Sequence, residues 1–209
     1  MHKMKKKAII IDLDNTVYPV SSIGEELFRP LFQLIEDSGD YTGELDEIKQ
    51  EIMRKPFQKV AEEYKFSDKL AEQGIALLEE LTYDKKMTAF EDYTEVRSVP
   101  CQKFLVTTGF TKMQQSKVQQ LGIADDFEEV HIVDPQLSDK TKKDIFEEIV
   151  DRYGFDPAEV LVVGDDPESE VKAAKELGMD AVLYDKMNFN PHLNDNNRIT
   201  DFKQLKDFL

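Results

Sequence analysis

The sequence predicts an α/β protein: a doubly wound parallel sheet with helices on both faces and a helical bundle inserted after the first strand. Three observations predict it. Short apolar runs at residues 8–11, 103–107, 129–133, 160–164 and 181–184 alternate with segments of helical period, the rhythm of right-handed βαβ units. Three of these runs finish in acid or hydroxyl, so polar groups from separate strands would meet at one sheet edge. Between the first and second runs the texture is helical throughout.

The first element is A-I-I-I-D-L-D-N-T-V-Y at residues 8–18. Ala8, Ile9, Ile10 and Ile11 show neither helical period nor polar alternation, as expected of a strand buried on both faces. Asp12 and Asp14 follow, one residue apart, so in extended chain both carboxyls leave one face of the strand end. Two carboxylates about 4 Å apart repel by roughly 4 kcal/mol at an effective dielectric near 20, so the pair requires a cation, a shared proton or intervening water. A strand that merely ends in an Asp/Asn turn is the plain alternative.

The inserted segment carries stripes at Leu27, Leu31, Leu34 and Ile35, at Leu45, Ile48, Ile52 and Met53, at Phe57, Val60, Ala61 and Tyr64, and at Leu70, Leu77, Leu78 and Leu81. These are read as core packing. Pro30 interrupts the first helix or sits early in a second, Gly39, Gly43 and Pro56 mark joints, and Ser67 is an N-cap. Arg29 and Arg54 are read as solvated helix face. Residues 87–100 are mixed and polar, a return connection.

The second strand, residues 103–107, ends at Thr107, Thr108 and Gly109, where a hydroxyl and free N–H groups before a helix suit phosphate oxygens. Read alone, Thr107 is a strand-end cap. A helix over 112–120 stops at Leu121 and Gly122. His131 lies in the third strand and is read as having a local partner. Lys140, Lys142 and Lys143 crowd a helix start, against the macrodipole, which favours an anion nearby. The fourth strand runs into V-V-G-D-D, giving Asp165 and Asp166, with Glu170 opening a helix over 170–177. A last strand, an Asn-rich surface loop at 188–197 and an amphipathic helix at 201–209 complete the chain.

Composition narrows the function. The 209 residues suffice for one domain with an insertion, or two small domains. A formal net charge of -16 opposes nucleic acid and anionic membrane as partners. The single cysteine, Cys101, and three scattered histidines exclude an internal disulfide and a Cys/His metal centre, so any metal is a hard, oxygen-liking one. Lys3, Lys5, Lys6 and Lys7 precede an apolar run too short for a secretory signal or a membrane span, and a cytoplasmic location is expected. No oligomeric state follows from the sequence.

The ordered stretches D-L-D-N-T at residues 12–16, L-V-T-T-G at 105–109, Lys140 six residues before Phe146, and V-V-G-D-D followed by Glu170 resemble the haloacid dehalogenase-like (HAD) hydrolases across the whole chain. D-L-D-N-T-V-Y-P is most similar to their nucleotidase-like phosphatases with a helical cap. The resemblance implies a three-layer Rossmann-like core, residues 1–18 and 95–209, and a cap, residues 19–94. It implies a Mg²⁺-dependent phosphatase of small phosphorylated metabolites such as nucleotide or sugar phosphates. In that reading Asp12 is the nucleophile and forms an aspartyl-phosphate, and Asp14 is the general acid and base. Thr107, Thr108 and Gly109 hold the phosphoryl oxygens, and Lys140 holds Asp12 and phosphate together. Mg²⁺ sits on Asp165, the Asp12 carboxylate and the Asp14 carbonyl.

Three departures bear on details. Glu170 stands where a second Asp is usual, with Asp166 as its rival in supporting the metal. Thr141 replaces the usual Pro after the lysine, which leaves Lys142 and Lys143 as alternatives to Lys140. Thr108 stands where Asn is frequent. A phosphoglucomutase-like transferase would use the same site, and a non-catalytic binding protein could retain the fold. A dehalogenase is disfavoured because displacing halide needs no acid at Asp14.

Overall fold

The structure, a computed structural model, describes residues 5–193 and 197–209. Lys3 of the N-terminal lysine group and residues 194–196 of the Asn-rich loop lie outside the described residues. Six parallel strands form one sheet in the order β3-β2-β1-β4-β5-β6. These are β1 (Ala8–Ile11), β2 (Gln102–Thr108), β3 (Glu129–Val133), β4 (Val160–Gly164), β5 (Asp180–Tyr184) and β6 (Arg198–Ile199). The short β6, beside the Asn-rich loop, was not expected.

Alternate residues of each strand serve opposite layers. Ala8, Ile10, Phe104, Val106 and Val162 pack with Ile145, Phe146 and Ile149 of α8 (Lys142–Tyr153) and with Ala173 and Ala174 of α9 (Lys172–Glu176). Ile9, Ile11, Leu105 and Val163 pack on the other face, with Met113 and Val118 of α7 (Thr111–Leu121) and Tyr93 and Val96 of α6 (Tyr93–Ser98). The expected three layers are present. The α6 helix lies in the return connection; one and a half turns give too little period to read from sequence.

Five helices follow β1: α1 (Gly24–Leu27), α2 (Arg29–Ser38), α3 (Leu45–Ile52), α4 (Phe57–Glu63) and α5 (Asp68–Glu80). Pro30 falls in the first turn of α2, where its missing N–H is harmless. Ser67 caps α5 by accepting from the Leu70 N–H at 3.2 Å. Their apolar stripes join the same cluster as the Ile9 and Ile11 face of the sheet, so bundle and sheet share a core.

Two C-terminal helices differ from expectation. Residues 167–171 form a π turn before α9, and the segment at 202–207 is a 3₁₀ helix burying Phe202 and Leu205 at its i, i+3 period. Strand order reverses between β1 and β4, and the crevice at their C-terminal ends is where doubly wound sheets bind ligands.

Candidate active site

At that crevice the tips of β1, β2 and β4 and the starts of α7 and α8 surround one cavity of about 150 Å³. Asp12, Asp14, Thr107, Thr108, Gly109, Asp165, Asp166 and Glu170 all line it. Its far wall is supplied by the helical insertion, through Phe28, Ile52, Met53, Phe57 and Leu78.

Asp12 continues the β1 ladder, its N–H donating to the Val163 carbonyl at 3.0 Å, and is 5% exposed. Residues 13–17 then coil, with the Val17 N–H on the Leu13 carbonyl at 2.8 Å. Asn15 takes φ 56° in this coil, a left-handed conformation that Asn tolerates. Its Oδ1 accepts from the Val20 N–H at 3.1 Å and its Nδ2 donates to the Met53 carbonyl at 3.3 Å. Asn15 thus ties the acidic turn to the end of α3.

The lysine that reaches Asp12 is Lys142, and this corrects the expectation for Lys140. Lys142 Nζ lies 2.5 Å from Asp12 Oδ1 and also pairs with Glu170 Oε1. Lys140 is exposed and pairs with Glu148 at 2.6 Å. The cause is local. Thr141 is the N-cap of α8, in a capping box with Asp144, so Lys140 lies before the helix. Lys142 is the first helical residue, in phase with Ile145, Phe146 and Ile149, and is drawn inward with that buried face. Lys143, one position on, points out to Glu176. The i, i+3, i+4, i+7 register was the signal in the sequence that distinguishes the three.

Glu170 is 2% exposed and fully engaged: Lys142 and the Ser169 hydroxyl meet Oε1, and the Asp166 N–H donates to Oε2 at 3.3 Å. The π turn turns this side chain inward against Gly164, where a Cβ would lie 2.7 Å from the Glu170 Cγ. Asp166 spends its Oδ1 on the Glu168 N–H at 2.8 Å, capping that turn.

Thr107 is 1% exposed, and its Oγ1 accepts from Gln114 Nε2 at 2.7 Å, leaving the hydroxyl proton free to donate. Gly109 is a second correction. Its N–H donates to the Val133 carbonyl at 3.0 Å and is therefore committed to the sheet rather than to an anion. With φ 153° it needs glycine, and a Cβ there would lie 3.0 Å from Gln114 Cδ and Cγ. Its role is to let Gln114 pass.

Asp14 is gripped by residues the sequence reading missed. Lys117 Nζ lies 2.9 Å from both its oxygens, Tyr18 OH donates to Oδ1 at 2.6 Å, and Gln114 Nε2 donates to Oδ2 at 3.1 Å. Burial works to raise its pKa, but the Lys117 charge and these hydrogen bonds outweigh it and hold Asp14 below the usual carboxylate range. Arg54, read as solvated face, also lines the cavity, its guanidinium 4.2 Å from the Phe189 ring centroid. His131 has the local partner expected, Glu129 at 2.6 Å.

On the Asp12 side the acids outnumber the cations. Burial, then the charges of Glu170 and Asp14, push Asp12 up to about 7 against the pull of Lys142. Burial, then Asp12 and Glu170, hold Asp165 well above its ordinary value. Among the described residues, nothing donates to the Asp165 carboxyl, whose backbone carbonyl accepts from Asn190 Nδ2 at 3.2 Å. No group of three or more Asp, Glu, His or Cys side chains among the described residues forms a ready cage. Two carboxylates and a main-chain carbonyl fit a cation that keeps waters and takes further oxygens from its ligand. Asp12 and Asp165 could hold such a cation, because the Lys142 charge offsets only part of their repulsion.

Comparison with known proteins follows the same lines. A family model described as haloacid dehalogenase-like hydrolase matches residues 6–178. A glyceraldehyde 3-phosphate phosphatase of Methanopyrus kandleri is 28% identical over 193 residues, covering 83% of this chain and 81% of the relative. An enolase-phosphatase E1 of Aquifex aeolicus is 24% identical over 229 residues, covering 96% and 99%. In fold, the chain is similar to a haloacid dehalogenase-like hydrolase of Streptococcus pneumoniae (TM-score 0.72, 15% identity, 97% and 98% covered). It is also similar to a magnesium-bound HAD hydrolase of Bacillus subtilis (TM-score 0.64, 17% identity, 99% of each chain). No helix among the described residues is long and apolar enough to cross a membrane. With the family match covering most of its length, the chain belongs to the haloacid dehalogenase-like hydrolases.

Proposed function

We propose that this hydrolase is a Mg²⁺-dependent phosphatase that cleaves small phosphomonoesters through an aspartyl-phosphate on Asp12. The observation that carries the reading is the buried Asp12 carboxylate at the tip of β1, with Lys142 on one oxygen and the cavity before it. Asp12 attacks phosphorus, and Lys142 orients it and offsets charge on the phosphoryl oxygens. The Thr107 hydroxyl and the strand end at Thr108 receive those oxygens. Asp14 protonates the departing oxygen and then takes a proton from the attacking water. The Asp12 and Asp165 carboxylates and the Asp14 carbonyl are the groups that would hold Mg²⁺, with Glu170 anchoring Lys142 beside them. Bound there, Mg²⁺ supplies positive charge against the phosphate dianion.

The relatives named for glyceraldehyde 3-phosphate and enolase phosphatase activity support a small phosphorylated metabolite as substrate. So does the limited cavity, closed on its far side by Phe28, Met53 and Phe57 of the segment we assign as the cap, residues 19–94. The test is phosphate release from a panel of triose, sugar and nucleotide monophosphates with and without Mg²⁺, alongside Asp12→Asn. Release that requires Mg²⁺ and disappears in the variant is expected. No release from any ester by the wild type would overturn the phosphatase reading.

A further inference from the structure

Lys117 is 2% exposed, among the most buried charged groups of the protein, and it lies on α7 rather than on any strand tip. An isolated lysine at such depth is strongly disfavoured, and an apolar residue would serve packing better, as Met113 and Val118 do on the same helix. Its Nζ spans both Asp14 oxygens at 2.9 Å. Tyr18 adds a second donor to Oδ1, and Gln114, one helical turn before Lys117, adds a second to Oδ2. A carboxylate has about four acceptor sites, and here all are occupied.

The clamp extends to the phosphate side. Gln114 Nε2 also lies 2.7 Å from Thr107 Oγ1 and 3.3 Å from the Thr108 carbonyl. Flipping this amide would set its oxygen against the Asp14 carboxylate and the Thr108 carbonyl, acceptor against acceptor, so its orientation is determined. The direction of Asp14 is therefore linked through one amide to the group that holds the phosphoryl oxygens.

Building on the phosphatase reading, we propose that Lys117, with Tyr18 and Gln114, is a positioning residue that aims Asp14 at the bridging oxygen of the ester. In the first half-reaction Asp14 takes a proton from solvent as one of its donors lets go. The bond from Asp12 to phosphorus forms, the bond to the leaving oxygen breaks, and that proton passes from Asp14 to the leaving oxygen. In the second, water oxygen bonds to phosphorus, its proton passes to Asp14, and the Asp12–phosphorus bond breaks to release phosphate. Asp14 must release one donor to carry the proton, and the two-point Lys117 contact keeps the carboxylate in place while it does.

The test separates aim from folding by varying the leaving group. Phenyl phosphates of similar size, from p-nitrophenyl to unsubstituted phenyl, differ in how much the departing oxygen needs a proton. The ratio kcat/KM reports steps up to formation of the Asp12–phosphorus bond. In Lys117→Met, kcat/KM is expected to fall less than about 3-fold for p-nitrophenyl phosphate and about 30-fold or more for phenyl phosphate, within the range of general-acid contributions. Lys117→Arg should restore most of the loss on phenyl phosphate. Equal losses across the series, or none, would overturn the proposal. If Lys117→Met does not fold, Tyr18→Phe decides by the same criterion: a steeper leaving-group dependence supports the clamp and an unchanged one overturns it. A wild type inert on the whole series would instead defeat the phosphatase reading, an outcome distinct from these.

Discussion

Only Thr141 separates lysines 140 and 142, and their two-position offset decides which one is buried beside the nucleophile. Lys142 shares a helix face with Ile145, Phe146 and Ile149, while Lys140 stands outside the Thr141 cap in contact with Glu148. Lys142→Met should reduce kcat/KM by roughly 10²–10³, the size of losing one charge stabiliser in a water-poor site. It should also lower Tm, because Asp12 and Glu170 lose their only cation partner among the described residues. Lys140→Met should leave kcat/KM within about 2-fold and stability within about 1 kcal/mol, as for an exposed pair. Steady-state kinetics and thermal melts on both variants measure this; equal losses in the two would contradict the assignment.

At the scale of elements, the helical insertion shapes the cavity through contacts that leave no spare volume. Gly74 of α5 faces Phe57 of α4, and a Cβ at Gly74 would lie 2.3 Å from the Phe57 Cζ. In a free helix Gly→Ala gains about 1 kcal/mol from propensity. Here overpacking of about 1–3 kcal/mol opposes that gain. Because Phe57 is 5% exposed and lines the cavity, it has no way to yield except by shifting the cavity wall. Gly74→Ala should therefore lower Tm and raise KM more than it lowers kcat. A higher Tm with unchanged KM would show that α4 and α5 adjust freely.

For the molecule as a whole, stability and metal binding are linked through pH. Asp12 rises from 3.8 to about 7 and Asp165 lies well above its ordinary value, so the folded state binds protons there that the unfolded chain has released. The Asp12 contribution to stability is therefore full below about pH 4 and is lost as pH rises through about 7, and Asp165 adds a contribution of the same sign. A cation at the same carboxylates competes with those protons and removes their repulsion once they ionise. Added Mg²⁺ should thus raise Tm little at pH 5 and clearly at pH 8, and a chelator should reverse the gain. Equal gains at both pH values, read by scanning calorimetry, would mean that the ion binds elsewhere.

Local pattern sufficed wherever a feature depends on near neighbours in the chain. The apolar runs made strands, the stripes of the insertion made α2 to α5, Ser67 made a cap, and the acids of D-L-D-N-T and V-V-G-D-D came together because parallel strands align their C-terminal ends. What pattern left open depended on the tertiary structure. Lys117 and Gln114 lie about a hundred residues from Asp14, on a helix whose other buried positions are ordinary core, so no spacing marks them as partners of an acid. Gly109 has its N–H taken by β3, a neighbour fixed only by strand order. The choice of Lys142 over Lys140 lies between the two cases: the capping box and the register of Lys142 with Ile145, Phe146 and Ile149 were both legible, and the structure adds that this face of α8 packs on the sheet beside Asp12. Sequence by itself determined the strand tips and the acids they carry, because those follow from local chain geometry. The tertiary structure decided which cations answer those acids, because the partners come from other elements and meet them only in the assembled core.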